Sequence, residues 1–427
     1  MSGYSAYGSL FRGSGTWVVK DSAAELAASA ASWASLGGLS DHLVLPAGDQ
    51  LYLLGGQGIG NPNANGSDLT APLSAALWRY DTVFELYTSL ASMPYPVTRF
   101  AATLAGGFLY VIGGIGGDAG SGTCWDDPTS PACAPTGVNM TTGGEASGAN
   151  PGRCGGVTLI YSLALDAWLP QRPRLNIPRA DACAVTIGTK LYVLGGYSDG
   201  YNISDSMEVM DSALGASATW SSLARLPQPR GDVSCVAVNG LIYLIGGFYD
   251  PACATADGCF GGAFGPSGLD SNGQTKFTNT TFSYDPSTNA WTRRADMHYH
   301  RADHAAAALV NGRIVVAGGE HTRRGLDSKV PQHSVELYSV ADDAWAEKAP
   351  MPYARFRFAA ASVGQATYAF GGQQLCFASS NNCSLTAANS ASVFYELDKP
   401  DVYVQLRTGA GAPALTLDDD LLNVDTR

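Results

Sequence analysis

Apolar residues run in paired short blocks along almost the whole chain. Ala182 to Ile187 is one block, Gly188-Thr189 interrupts it, and Leu191 to Leu194 is a second, ending at Gly195-Gly196. Apolar blocks of this length, broken by turn residues, predict two short strands joined by a tight hairpin. The same order recurs six times, with glycine pairs at Gly55-Gly56, Gly113-Gly114, Gly195-Gly196, Gly246-Gly247, Gly318-Gly319 and Gly371-Gly372. After each pair comes a loop of variable length, then a third strand ending near Tyr, then a fourth centred on Trp. Tyr161 to Trp168, Tyr284 to Trp291 and Tyr338 to Trp345 are each seven residues apart, Tyr80 to Tyr87 keeps the spacing, and Met210 with Trp220 departs from it. A unit repeated at this size predicts a repeat architecture.

Diglycine, Tyr and Trp in this order resemble the kelch repeat, and six copies resemble a six-bladed kelch β-propeller, an all-β fold. The resemblance covers residues 33–398. Glycine after the second strand supplies backbone freedom where a Cβ would clash, and the large Trp can bury its ring between neighbouring blades. Small residues such as Ala101-Ala102, Ala305 to Ala308 and Ala359 to Ala361 suit innermost strands converging on an axis. The last repeat has a third strand, Val393 to Leu397, with no Trp after it, whereas Trp33 stands before the first complete repeat. An N-terminal strand around Trp33 is therefore expected to complete the final blade and close the ring, which removes exposed sheet edges. Residues 1–32 are read as an N-terminal extension and 399–427 as a C-terminal extension, the latter leading towards a further domain.

Composition narrows the partners. Asp and Glu total 37 against 25 Lys and Arg, a formal charge of −12, which disfavours polyanions and argues against nucleic acid. No apolar run is long enough to span a membrane, and the first residues carry no secretory signal pattern. Long loops are expected between second and third strands, on the same side as the fourth-to-first connections, while the other side has minimal turns such as Gly188-Thr189, Asn239-Gly240 and Asn311-Gly312. Binding on rigid scaffolds usually sits in such loops.

Six cysteines share loops pairwise, and disulfides are expected for Cys124 with Cys133, Cys253 with Cys259 and Cys376 with Cys383. Cys154 is left over and could equally pair with Cys124 or Cys133. Cys183 and Cys235 fall in innermost strands and read as small buried thiols. No Cys-x-x-Cys occurs, so zinc is not expected. Five N-x-[ST] sequons, at Asn65, Asn139, Asn202, Asn279 and Asn382, lie in or beside the long loops. Together with the loop cysteines they favour an extracellular or cell-surface glycoprotein, and glycans there would turn a partner towards the opposite, flatter side or the rim.

Aligned at their starts, the innermost strands carry Asp41, Arg99, Asp181, Asp232, Asp303 and Arg357 at one position, with Arg179, Arg230, Arg301 and Arg355 two residues earlier. This predicts a charged ring at one mouth of the central channel, with Asp41 flanked by Arg99 and Arg357. Two readings stand: mutual ion pairs that tie blades together, or a binding mouth for a peptide carboxylate or acidic sugar. Arg230-Gly231-Asp232 spells an integrin-type tripeptide but begins a strand. His298, His300 and His304 cluster with Asp303; the spacing of Asp296, His300 and His304 is faintly similar to the iron site of plant specifier proteins, without that pattern's Glu and following Asp. Nor is there a set of ligands like the copper site of galactose oxidase, so no metal or cofactor is expected. The favoured reading is a non-enzymatic protein-interaction module within a larger assembly, its partners including neighbouring domains. The alternatives are a sugar-active or sugar-binding propeller resembling the bacterial sialic-acid mutarotase, and an intracellular kelch adaptor.

Overall fold

The computed structural model describes residues 16–20, 39–58, 70–71, 73–116, 138–139, 155–198, 202–249, 277–322, 329–374, 386–387 and 391–395. They are almost entirely antiparallel sheet. Five four-stranded sheets are each built from consecutive repeat strands; in the third, for example, Cys183–Ile187, Lys190–Leu194, Met207–Asp211 and Ser221–Ser222 pair in that order. A further four-stranded sheet joins Ala359–Val363, Ala366–Phe370 and Ala391–Tyr395 to the N-terminal strand Thr16–Lys20, with Thr16 opposite Tyr395 and Lys20 opposite Ala391. We number these blades from the N-terminal end, the composite one last.

The composite blade corrects the N-terminal expectation. Its outer strand is Thr16-Trp-Val-Val-Lys20, and Trp33 lies outside the described residues. The register places Trp17 opposite Phe394, as Trp168 stands opposite Tyr161 and Trp345 opposite Tyr338, so the aromatic position of the last repeat's fourth strand falls on Trp17 and not on Trp33. The extension expected over residues 1–32 thus contributes a strand to the propeller; residues 399–427 lie outside the described residues.

Second strands are buried at four of five positions in every blade, as in Leu191–Leu194. Both faces of such a strand are covered, which explains the nearly unbroken apolar runs. Alternate side chains serve opposite neighbours: Leu191 and Val193 pack with residues of the second blade, Tyr192 and Leu194 with the fourth.

The diglycine is an inter-blade joint. Gly195 and Gly196 have φ of +67° and +86°, and a Cβ on Gly195 would stand 2.7 Å from the carbonyl oxygen of Arg230, which leads into the next blade. With no side chain in the way, Gly196 N–H donates to that same carbonyl at 2.7 Å. Equivalent bonds run from Gly114 to Arg179, Gly247 to Arg301, Gly319 to Arg355 and, between composite blade and first blade, Gly372 to Leu39.

The aromatic pair forms a second joint near the rim. Tyr161 lies opposite Trp168, whose indole N–H donates to the carbonyl of Ala91 in the preceding blade at 2.9 Å. Asp166, in the turn between them, accepts from Ala91 N–H and from the Tyr161 hydroxyl. Trp345, Asp343 and Tyr338 repeat this set on Ala295. Trp220 preserves it in altered form, its indole donating to Thr158 of the preceding blade, despite the longer turn after Met210.

Candidate functional site

Six residues stand at the point where each blade enters its innermost strand: Asp41, Arg99, Asp181, Asp232, Asp303 and Arg357. All adopt left-handed backbone, with φ from 51° to 54°. That conformation turns five of the six N–H groups towards the neighbouring blade: Asp41 donates to Arg357 O, Arg99 to Asp41 O, Asp181 to Arg99 O, Asp303 to Asp232 O and Arg357 to Asp303 O. The side chains continue the circuit. Arg99 lies 3.1 Å from Asp181 and 3.9 Å from Asp41, and Arg357 lies 3.0 Å from Asp303 and 3.7 Å from Asp41. Asp232 accepts a 2.7 Å hydrogen bond from the Tyr197 hydroxyl. The structure therefore brings together the six ring positions that alignment of the strands singles out.

It does not bring the other four with them. Arg179, Arg230, Arg301 and Arg355 are wholly buried, each inside its own blade. Their guanidiniums donate to the first diglycine carbonyl, at Gly195, Gly246, Gly318 and Gly371 respectively. Arg179 and Arg301 also meet buried carboxylates, Glu208 at 2.7 Å and Glu336 at 2.8 Å. Arg230 has Thr280, Gln228 and the face of Phe282 instead, and burial, with the charge of Arg293 nearby, pulls its guanidinium down to about 9. These four arginines staple blades and line no mouth. The reason is periodicity: alternate residues on an extended segment point the same way only while the segment stays extended, and the left-handed residue breaks that alternation. Glu208 and Glu336 were missed, although the same second position of two third strands carries them. With Arg230 buried, its tripeptide offers no exposed recognition loop.

Charge in the ring is balanced internally but incompletely. Four carboxylates face two guanidiniums, and exposure of the paired side chains runs from 4% to 21%. Burial, with Asp41 and Asp303 nearby, raises the Asp181 carboxyl to about 6 although Arg99 opposes the shift. Burial works against the charge of Arg357, but Asp303 and Asp41 outweigh it and hold that guanidinium well above its ordinary range. Both cations are thus committed to ring carboxylates, and the excess negative charge works against an anionic ligand on the axis.

A pH dependence follows. The folded state holds a proton on Asp181 between its unfolded value near 3.8 and about 6, so its contribution to stability is lost as pH rises through 6. His42 acts in the opposite sense: burial lowers it to about 3, and stability falls as pH drops below its unfolded value near 6.5. His304 follows the same direction. Asp181→Asn, with a residue that tolerates left-handed backbone, should stabilise the protein at pH 8 by on the order of 1–2 kcal/mol and lose that advantage by pH 4. Thermal unfolding of both proteins across this range tests it; a difference independent of pH would refute the assignment.

The histidines do not converge. His298 bonds Glu336, His300 Nδ1 lies 2.9 Å from the Phe277 carbonyl, and His304 packs against Gly246 and Gly319 between blades. Among the described residues no group of three His, Cys, Asp or Glu is placed to hold a metal.

The two cysteines read as free thiols are instead a disulfide. Cys183 and Cys235, on innermost strands of adjacent blades, are joined with Cα atoms 5.8 Å apart. Cys124, Cys133, Cys154, Cys253, Cys259, Cys376 and Cys383 lie outside the described residues, as do Asn65 and Asn382. Asn139 and Asn202 lie in two-residue strands. Asn279 is half-buried and its amide nitrogen, the atom a glycan would take, donates to Met297 O at 2.7 Å.

Comparison with known proteins agrees with this geometry. A kelch motif family model matches residues 178–227. Kelch repeat and BTB domain-containing protein 12 of Danio rerio is 30% identical over 39% of this chain and 25% of its own length. Beta-scruin of Limulus polyphemus is 32% identical over 36% and 14%, and Kelch-like protein 34 of Homo sapiens 22% identical over 69% and 37%. The chain thus spans well under half the length of these relatives. The solved structure of YjhT superposes with a TM-score of 0.57 at 15% identity, covering 83% of this chain and 94% of that one, which is a likeness of fold. Among the described residues no helix is long and apolar enough to cross a membrane. The repeated diglycine joints, the Tyr–Trp rim joints and these matches lead to one conclusion: the chain is a kelch-repeat protein.

Proposed function

We propose that this chain is a six-bladed kelch propeller serving as a non-enzymatic scaffold that binds protein partners. The observation that carries the reading is the self-satisfied axis: the ring that would form a catalytic or sugar-binding mouth uses its guanidiniums on its own carboxylates. Continuity of the joints supports six blades, since Gly372 bonds Leu39 and Asp41 bonds Arg357 across the point where the chain ends meet. The Cys183–Cys235 disulfide supports an oxidising, extracellular setting. Of the glycan candidates, Asn279 is set aside because its amide is engaged.

Arg357→Gln should lower the thermal midpoint and leave partner capture from the native source unchanged. Titration with an acidic monosaccharide such as sialic acid should give no saturable heat. Saturable sugar binding lost in Arg357→Gln would replace this reading with the sugar-binding alternative.

A further inference from the structure

We propose that the short-turn side of the first three blades is a docking surface for a basic polypeptide segment with an apolar anchor, which seats between the second and third blades. This deepens the scaffold reading and rests on it, naming one surface and the chemistry of its partner, and its test is separate from the test of the axial ring.

Antiparallel pairing puts the first-to-second and third-to-fourth turns of every blade on one side. In the first three blades the third-to-fourth turns end in bare apolar residues: Phe84 is 71% exposed, Leu165 70% and Leu214 57%, with Val83 and Leu86 beside Phe84 also exposed. In the fourth and fifth blades the same turns read Pro286-Ser-Thr-Asn289 and Val340-Ala-Asp-Asp343, so the apolar tips form an arc rather than a general feature of the repeat. Elsewhere on this side Val310 stands alone in its turn.

Between the second and third blades the arc has a recess. Phe108, Tyr110, Ile160 and Leu169 of one blade face Met210 and the Ser212–Ser217 turn of the other, enclosing about 170 Å³. The turn that carries Leu214 is the one that departs from the repeat's usual spacing, and its lengthening supplies Gly215 and Ala216 as one wall. The lining is mostly apolar, with Gln171 and Ser212 as its polar members, a setting that an aliphatic or aromatic side chain would fill, and the exposed Leu214 precedes its Gly215 wall in sequence.

Charge decides what brings that side chain. The turns on this side of the first three blades contain Asp49, Asp81, Glu85, Asp166 and Asp211, and Lys190 is their one basic residue. Three of these carboxyls are held below their ordinary range: Asp81 by the Phe84 amide, Asp166 by the Ala91 amide and Asp211 by the Thr189 hydroxyl. Apolar tips set among carboxylates fit a segment carrying Lys or Arg around one apolar anchor.

The test uses the full chain and a fluorescein-labelled helical peptide of Lys and Leu, with the Glu-for-Lys peptide as its counterpart, read by anisotropy. The basic peptide should bind, weaken with added salt, and lose at least tenfold in affinity to Leu165→Ser/Leu214→Ser; the acidic peptide should not bind. Tyr353→Ser, an exposed change on the opposite side, should leave binding intact. Equal affinity for the double variant overturns the proposal. So does light scattering that shows a dimer dissolved by the double variant, which would assign the surface to a second copy.

Discussion

Replacing Arg301 with alanine should cost about 3–5 kcal/mol of folding stability, more than any surface change in this protein. The guanidinium is wholly buried and donates to Gly318 O, Ser334 O, the Ser334 hydroxyl and Glu336. Truncation leaves two carbonyls short of a donor and Glu336, itself buried, without its cation. Glu336 would keep His298 and Tyr299 as donors, which neutralise no charge at the amide. Removing both charges together, as Arg301→Met/Glu336→Leu, should recover much of the loss, because a well-packed apolar pair avoids the desolvation of two ions. Arg230 is the internal comparison: with Phe282 at the position where the third and fifth blades have Glu208 and Glu336, Arg230→Met abandons no carboxylate and should cost less by about 2 kcal/mol. Urea unfolding of the three variants tests the series. Equal losses for Arg301→Ala and Arg230→Met would show that carbonyl bonding, and not the ion pair, carries the staple.

The Cys183–Cys235 disulfide should contribute roughly 2–4 kcal/mol. The bond spans 52 residues of sequence, and in the loop-closure account a cross-link of that span constrains the unfolded chain strongly. Cys183→Ala/Cys235→Ala should therefore unfold at lower urea, and reductant should shift the wild-type protein towards the variant while leaving the variant unmoved. Non-reducing peptide mapping should recover the two cysteines in one linked pair. Recovery of either one alkylated in protein from its native source would remove the support this bond lends to an extracellular setting.

Why that bond escaped the sequence is instructive. Cys183 stands two residues after its ring position and Cys235 three after its own, so alignment puts them one step apart. In neighbouring blades, however, side chains that face each other come from opposite faces of their strands, and a one-residue offset is what brings them together. Thr103 and Thr186 obey the same rule, four and five residues after Arg99 and Asp181, and their hydroxyls lie 2.8 Å apart. The buried arginines show the reverse error. Reading Arg179 and Asp181 as neighbours on one face assumes a regular strand, and a left-handed residue at φ 51° sends the first into the blade and the second to the axis.

By itself the sequence determined the repeat, its strands and its joints, because these depend on short-range facts: apolar runs buried on both faces, glycine where a neighbour's carbonyl approaches, and Tyr and Trp opposite each other across one strand pair. It also placed the six ring residues, since their shared position survives in any alignment of the innermost strands. Only the tertiary structure decided that Thr16–Lys20 supplies the last outer strand, that Cys183 meets Cys235, and that four arginines are staples. The first needs two distant segments to meet at one sheet edge, the second depends on which face of one blade meets the next, and the third on the left-handed backbone at each strand entry, none of which the pattern of apolar and polar residues sets.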